Sequence, residues 1–265
     1  MESGAKLKVG VNGLGGGMDG SMLITDAGTI VDLNGNSLRV NENNNFILRN
    51  GAVITNCNYF SFNNVGSGTD TALTNSVHVR TSVFGVNGND RTVIFGGADS
   101  FWQHDRSDWE DLRIGLVNST NFVSHANSLT VTDGGVLKHA WGIAVGGNGT
   151  NSFDNSLVLG SGGTVITPYI NVGRNGAISN LLVCAGGAVF ADTLEIFSQN
   201  GIALHASSKE FEPSAFTTVS ISENTYVMPT LVDGFRHDNV FPLITADIIY
   251  GFENLELHPS VDPDE

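Results

Sequence analysis

The chain has 265 residues, enough to bury a substantial core, and a formal net charge of -15. That charge repels phosphate backbones and anionic headgroups, so we expect neither a nucleic-acid partner nor attraction to an anionic membrane surface. No apolar run approaches the ~18–20 residues that a membrane-spanning helix needs, so we expect no transmembrane segment. Glycine is frequent (33 residues) and only 15% of residues are charged, a balance that indicates many strands and turns with little exposed helix.

The N-terminal residues 1–17 read MESGAKLKVGVNGLGGG and lack the apolar segment of a signal peptide. The composition is nevertheless more typical of extracellular than of cytosolic proteins. We therefore expect an extracellular or cell-surface protein whose leader peptide is absent from this chain. Gly13, Gly15 and Gly17 lack the GxxxxGK[ST] spacing of a phosphate-binding loop, and a flexible turn is the simpler interpretation.

Loose repeats follow in the first third of the chain. SMLITDAGTIVD from Ser21, FILRNGAVIT from Phe46 and NSVHV from Asn75 alternate apolar and polar residues, as strands with one buried face do. Residues from about 98 to 122 do not fit this pattern. We therefore predict an insertion there, on one face of the repeat.

This predicted insertion concentrates charge and tryptophan in the stretch SFWQHDRSDWEDLRIG, residues 100–115. Aromatic rings beside carboxylates can stack on and hydrogen-bond a sugar, and paired carboxylates can hydrolyse glycosides at a separation of ~5–9.5 Å. The alternatives are a solvated insertion whose tryptophans pack on the surface, a glycan or partner site, and a catalytic site. We predict no catalytic residue, because no column of acidic residues recurs in the clearest copies of the repeat. The candidate binding residues are Trp102, His104, Asp105, Arg106, Asp108 and Trp109.

The clearest repeats lie in residues 127–201, where three similar copies begin at Asn127, Asn155 and Asn180. Apolar residues alternate at the start of each copy, and a Gly-Gly pair or a similar turn follows. We predict that Leu129, Leu157 and Leu181 form one stacked row inside the fold. Further along, the copies match at Ile143-x-Val145, Ile170-x-Val172 and Leu194-x-Ile196, and each is predicted to close with a turn at Asn148-Gly149, Asn175-Gly176 and Asn200-Gly201.

A repeat of about 25 residues with three short strands indicates a solenoid. One copy cannot bury its apolar face alone, whereas stacked copies share a continuous core. The predicted fold is all-β: a right-handed parallel β-helix with about three strands per coil, forming a single domain over residues 1–257. Larger apolar residues and prolines in about 210–257 indicate a non-repeat C-terminal cap, followed by a tail at 258–265.

The two cysteines, Cys57 and Cys184, are predicted to remain unpaired, because roughly five coils of ~4.8 Å place them about 24 Å apart along the axis. Cys184 aligns with Thr132 and Gly160, which predicts a side chain that faces away from the core and reacts with thiol reagents. The histidines, among them His139 and His205, lack metal-ligand spacing, so we expect no metal and no other cofactor.

Several of these motifs resemble the passenger regions of bacterial autotransporters and the autotransporter-associated β-strand repeats. The resemblance rests on NSLTVTDGGVL, IAVGGNG, NSLVLGSGGTV and INVGRNG, and extends to FPLITADIIYGFENLEL, which is similar to the segment that often closes such passengers. It covers roughly residues 20–255. It implies a secreted bacterial protein of the adhesin, scaffold or stalk type, and it concerns architecture rather than chemistry.

Two classes of function follow from this interpretation. The first is a non-enzymatic extracellular β-solenoid acting as an adhesin, a surface scaffold, or a filament or surface-layer subunit, with a glycan, a cell-surface protein or further copies of itself as partner. The alternative is a carbohydrate-active β-helix enzyme, either a glycoside hydrolase or a polysaccharide lyase, or a phage-type glycan-binding spike. The enzyme requires two carboxylates that face each other in a groove beside the predicted insertion.

Overall fold

The structure is a computed structural model that describes residues 8–9, 21–26, 28–34, 37–40, 45–48, 52–55, 59–63, 70–74, 83–87, 89–90, 92–98, 100–104, 111–116, 123–147, 149–206, 214–231 and 244–257. These residues form strands and turns, with one short 3-10 helix at Phe252–Asn254. In chain order the strands are β1 (Lys8–Val9), β2 (Ser21–Ile24), β3 (Ile30–Asp32), β4 (Ser37–Val40), β5 (Asn45–Leu48), β6 (Val53–Thr55), β7 (Tyr59–Asn63), β8 (Asp70–Thr74), β9 (Val83–Asn87), β10 (Thr92–Gly96), β11 (Phe101–His104), β12 (Leu112–Leu116), β13 (Ser124–His125), β14 (Ser128–Thr132), β15 (Val136–His139), β16 (Gly142–Gly147), β17 (Ser152–Phe153), β18 (Ser156–Leu159), β19 (Thr164–Arg174), β20 (Leu181–Cys184), β21 (Ala188–Ile196), β22 (Gly201–Ala206), β23 (Ser214–Ile221), β24 (Thr225–Leu231), β25 (Ile244–Tyr250) and β26 (Leu255–Leu257).

Two long parallel ladders of strands organise the molecule. Ladder A has the order β1-β4-β7-β9-β12-β16-β19-β21-β23-β25, and ladder B has the order β2-β5-β8-β10-β14-β18-β20-β22-β24-β26. The chain alternates between the ladders, so that each coil adds a strand to both. This confirms the predicted all-β parallel β-solenoid.

Three strand positions per coil are clearest around β14, β15 and β16. Strand β15 continues a side branch of ladder A, between β11 and β19. In the next coil the long strand β19 occupies both positions, since it pairs with β15 through Val165 and with β16 through Ile170. The same long form recurs in β21 and β23.

The core consists of apolar rows that run along the solenoid axis. The match between copies at Ile143, Ile170 and Leu194 is confirmed, because these residues are in register on β16, β19 and β21, and all three are fully buried. Each row buries a side chain from every coil against the coil above and below, which is why one copy could not form a core alone.

The predicted leucine row is correct for Leu129 and Leu157 but wrong for Leu181. Leu157 pairs with Leu182, which is fully buried, while Leu181 pairs with Ser156 and is half-buried on the outer face. The first two copies have a polar serine after the asparagine, whereas the third has Leu181 there. Because Leu181, Leu182 and Val183 are all apolar, the sequence of this copy does not show which of them alternate toward the core.

Asn200 also differs from its predicted role as a turn residue. It is fully buried, and its Oδ1 accepts hydrogen bonds from Nδ2 and the backbone N of Asn180 at 3.0 and 2.9 Å. Asn200 is thus the equivalent of the asparagines that open the earlier copies. The Asn-Gly turn is genuine at Asn175 and Gly176, where φ is 56° and 83°.

Cys184 was predicted to face away from the core, and this is wrong. It pairs with Leu159 on β18 and Leu204 on β22, both of them inward-facing, and its own exposure is 0%. Burial raises the pKa of its thiol to about 11. Cys57 lies outside the described residues, so the absence of a Cys57–Cys184 disulfide stays a prediction.

The C-terminal segment continues the repeat, although it was predicted to depart from it. Strands β23 and β25 extend ladder A, and β24 and β26 extend ladder B, all in parallel pairing. The larger apolar residues therefore leave the parallel topology of the last coils unchanged. No helix in the described ranges is long and apolar enough to cross a membrane.

Candidate functional site

Each coil bends between the two strand positions of ladder A, and this bend is the candidate site. We call it the groove corner. The register of the strands fixes the number of residues in the bend in successive coils. Thr167, Ala191 and Phe216 are in register before the bend. Tyr169, Thr193 and Thr218 are in register after it. A single residue forms the bend in these coils: Pro168, Asp192 and Thr217.

Earlier coils have longer bends at the same place. His139 and Gly142 flank a bend of residues 140–141. His104 pairs with His139, and Leu112 pairs with Ile143, so β11 and β12 flank the same corner one coil further up. Residues 101–104 and 112–116 of the insertion predicted at about 98–122 therefore belong to the regular ladder, while residues 105–110 lie outside the described residues.

A groove of about 620 Å³ runs along the groove corner, parallel to the solenoid axis. Three consecutive residues from each of four coils line it, so that the repeat itself builds the site. Three steps of ~4.8 Å between coils give it a length of about 14 Å. The lining residues are Lys138, His139, Ala140, Ile166, Thr167, Pro168, Phe190, Ala191, Asp192, Ala215, Phe216 and Thr217.

The groove combines an apolar wall with separated charges. Ile166 and Phe190 are in register on neighbouring coils and expose 38% and 42% of their surface. Lys138 precedes them in the same row, and Asp192 lies at the bend, both exposed. Large apolar side chains stacked on an outer face suit contact with another molecule, whereas isolated ones are normal on any surface.

A polar cluster lies beside the groove, on the outer face of ladder A. The carboxylate of Asp111, which is 4% exposed, accepts a hydrogen bond from the Tyr169 hydroxyl. Its other oxygen lies 2.5 Å from a guanidinium nitrogen of Arg174. Asp111 directly follows the 105–110 insertion in sequence, so the cluster fixes the point where the insertion rejoins the ladder.

The ring of Tyr169 reaches Asp111 by crossing the coil between them. It lies over Gly142, where an added Cβ would come within 2.4 Å of the ring, and it packs edge-on against Trp141 with ring centroids 6.1 Å apart. Burial, and then the hydrogen bond to Asp111, raise the pKa of the Tyr169 hydroxyl well above its usual range. The hydroxyl is therefore a hydrogen-bond donor at neutral pH.

The sequence-predicted binding residues separate in the structure. Trp102 is 1% exposed and packs against Phe95 in the core, with ring centroids 5.7 Å apart, so its ring is not available to stack on a sugar. His104 ends β11 at the groove corner. Asp105, Arg106, Asp108 and Trp109 lie outside the described residues, between the two positions that the ladder fixes.

Sequence reasoning missed the groove because its residues are distant in sequence and ordinary in type. Lys138, Ile166 and Phe190 share one outward row only after the coils are aligned. Alignment on the inward pairs, such as Leu137 with Val165, is the signal that could have found them.

The described lining of the groove is mostly apolar or uncharged. Its described lining has a single carboxylate, on Asp192, and Asp111 nearby is engaged by Tyr169 and Arg174. No group of three metal-ligating side chains occurs among the described residues.

Compared with protein-family models, curated proteins and solved structures, the chain matches none. The resemblance to autotransporter passengers therefore rests on the sequence motifs alone. The part of that resemblance that the structure supports is the parallel β-solenoid.

Proposed function

We propose that this protein is a non-enzymatic extracellular β-solenoid, an adhesin or surface scaffold, and that it binds its partner along the groove corner. The observation that carries this proposal is the groove itself, to which four successive coils contribute three residues each. A site built in this way recognises an elongated molecule, because its contacts repeat at the coil spacing.

The chemistry of the groove favours a glycan chain or an extended segment of a surface protein. The exposed row of Ile166 and Phe190 supplies an apolar wall for a sugar face or an aliphatic side chain. Lys138 and Asp192 supply opposite charges on either side of it. The net charge of -15 disfavours a strongly anionic partner.

The second candidate is a glycan site on the 105–110 insertion, with Trp109 as the stacking ring. Its support is the position of these residues in the sequence, since they connect β11, whose His104 pairs with His139 at the groove corner, to β12. The groove and this segment can be mutated separately.

The test is a binding screen with the full chain on arrayed glycans and on cell surfaces. The Ile166→Ser, Phe190→Ala double variant is expected to lose at least about tenfold in affinity for any ligand found. Val123→Ser is the matched control, because Val123 is 46% exposed and lies outside the groove. Retained binding by the folded double variant would contradict the groove proposal.

Two further measurements separate the alternatives. Trp109→Ala distinguishes the insertion from the groove, because only the second candidate predicts its loss of binding. Incubation with polysaccharides, followed by assays for reducing ends and unsaturated products, tests the hydrolase and lyase alternatives. Product formation that scales with protein concentration would contradict a non-enzymatic role.

A further inference from the structure

In the described part of the chain, the last coil leaves core positions exposed. Val219 on β23 is 2% exposed, whereas Ile249, its in-register partner on β25, is 44% exposed. In-register residues of a parallel ladder face the same side, so Ile249 points along the core row, and no further coil among the described residues covers it. Phe252, in the turn that follows, is 66% exposed.

Both ladders end in this same coil. Strand β25 is the final strand of ladder A, and β26 is the final strand of ladder B, in the part of the chain that is described. A final strand presents a row of backbone N–H and C=O groups, which is a template for pairing with another strand. A partner surface that pairs with the last coil must therefore provide two strands, one beside β25 and one beside β26, set at the angle of a solenoid coil.

The first coil of the same protein offers such a pair. Strand β1 begins ladder A and β2 begins ladder B, and among the described residues each is paired on one side only, with β4 and β5 respectively. Every pairing in both ladders is parallel. A second copy can therefore continue both ladders at the usual spacing of ~4.8 Å if its first coil follows the last coil of the copy before it.

Charge distinguishes this arrangement from a symmetric one. Residues 244–257 carry Asp247, Glu253 and Glu256 and no lysine or arginine. A twofold contact between two last coils would bring these carboxylates against their own copies, whereas β1 carries Lys8 and follows Lys6. Like charges across an interface disfavour it, and opposite charges favour and orient it.

We propose that copies of this chain associate head to tail, with β25 beside β1 and β26 beside β2 of the next copy. Such a contact joins different surfaces and is not closed by symmetry, so it builds an open fibre. It goes beyond the proposed function, since it uses the end of the solenoid rather than its lateral face. Along a fibre, the groove corner of each copy would face outward at regular intervals.

The first experiment is sedimentation velocity of the full chain over a wide concentration range. We expect the weight-average mass to rise beyond the dimer as concentration increases. Ile249→Asp places a charge in the uncovered core row and is expected to leave the protein monomeric. Ile248→Asp is the matched control, because Ile248 pairs with half-buried Thr218 on the outer face and should leave association unchanged. Circular dichroism and melting temperature verify that both variants are folded.

The second experiment assigns the surfaces directly. A zero-length carbodiimide reagent links lysines to nearby carboxylates, and a mixture of isotopically light and heavy protein distinguishes links between molecules. We expect mixed-isotope links from Lys6 or Lys8 to Asp247, Glu253 or Glu256.

Three results would overturn the proposal. One is a wild-type protein that remains monomeric at all concentrations. Another is association that stops at the dimer without links between the two ends. The third is a monomeric full chain that associates only after residues 258–265 are removed, which would identify these residues as the cover. A groove variant that keeps full ligand binding and still forms fibres would leave this proposal intact while contradicting the proposed function.

Discussion

The two corners of each coil differ in which structural feature stays the same from one coil to the next. At the groove corner the bend changes length, from the two residues 140–141 to the single residues Pro168 and Asp192, and the groove runs along its outer side. At the opposite corner, where ladder A passes to ladder B, buried asparagines keep one register. We call this the asparagine corner; its members are Asn127, Asn155, Asn180 and Asn200, all 0% exposed.

The asparagine corner keeps its register while the loops beside it shrink. Nδ2 of each asparagine donates to Oδ1 of the next, at 2.8, 2.9 and 3.0 Å. The sequence separations fall from 28 to 25 to 20 residues along the same ladder. Because each amide satisfies its neighbours in the buried interior, these coils stay in register at the corner while the length of the loop changes.

A row of glycines completes the asparagine corner. Gly146 and Gly173 have φ of 71° and 80°, and a Cβ on either would meet the amide of Asn180 or Asn200 at 2.4 or 1.9 Å. One corner is therefore specified by side-chain chemistry at a fixed place, whereas the other varies in bend length and carries the groove.

The strongest test of this comparison is Asn155→Leu. The substitution removes the Oδ1 that accepts hydrogen bonds from Nδ2 and the backbone N–H of Asn127, and it removes the donor to Oδ1 of Asn180. Unsatisfied buried groups cost about 1–3 kcal/mol each, so we expect a loss of about 4 kcal/mol in the free energy of unfolding. Chemical denaturation measures it, with Ser156→Ala as the control on the adjacent, half-buried position. A loss as small as that of the control would mean that the asparagine corner does not fix the coil.

The next effect concerns the apolar row rather than the corner. Leu157→Ala removes a fully buried side chain between Leu129 and Leu182, and should lower the free energy of unfolding by about 3 kcal/mol. Leu181→Ala, on the outer face, should cost clearly less. Equal losses in the two variants would contradict the corrected register.

A smaller effect is expected from Tyr169→Phe, at the groove corner. Loss of the hydrogen bond to Asp111 should cost about 1 kcal/mol at neutral pH, since the hydroxyl is only partly buried. The folded-state pKa of Tyr169 is raised, so the wild-type contribution is complete below about pH 10 and is lost as pH rises above it.

The variant should therefore lose stability less steeply than wild type above about pH 10. Burial also raises the pKa of Tyr226, so the variant should keep the part of the pH dependence of stability that Tyr226 contributes. Denaturation curves between pH 8 and pH 11 measure this difference, and parallel slopes would contradict it.

The smallest effect on stability is expected from Ile166→Ser in the groove. Its side chain is 38% exposed, and surface substitutions usually change stability by less than about 0.5 kcal/mol. The melting temperature should remain close to that of wild type while ligand binding falls. A large loss of stability would mean that the groove corner contributes to the fold as the asparagine corner does.

The amino-acid sequence by itself determined the all-β solenoid, the approximate length of a coil and much of its core. Alternation and Gly-containing turns are local properties, so rows such as Ile143, Ile170 and Leu194 are readable along the chain. Local patterns were insufficient where two adjacent residues are both apolar, as at Leu181 and Leu182, or where one residue type serves two purposes, as Asn175 and Asn200 do.

Only the tertiary structure decided which corner is held by buried hydrogen bonds and which one carries the groove. The amide of Asn155 finds its partners 28 and 25 residues away, and no local preference of asparagine reveals them. The groove likewise exists only when Lys138, Ile166 and Phe190 are stacked in one row on successive coils. Hydrogen bonds and surfaces between coils depend on the register of stacking, which is a property of the packed chain and not of any single segment.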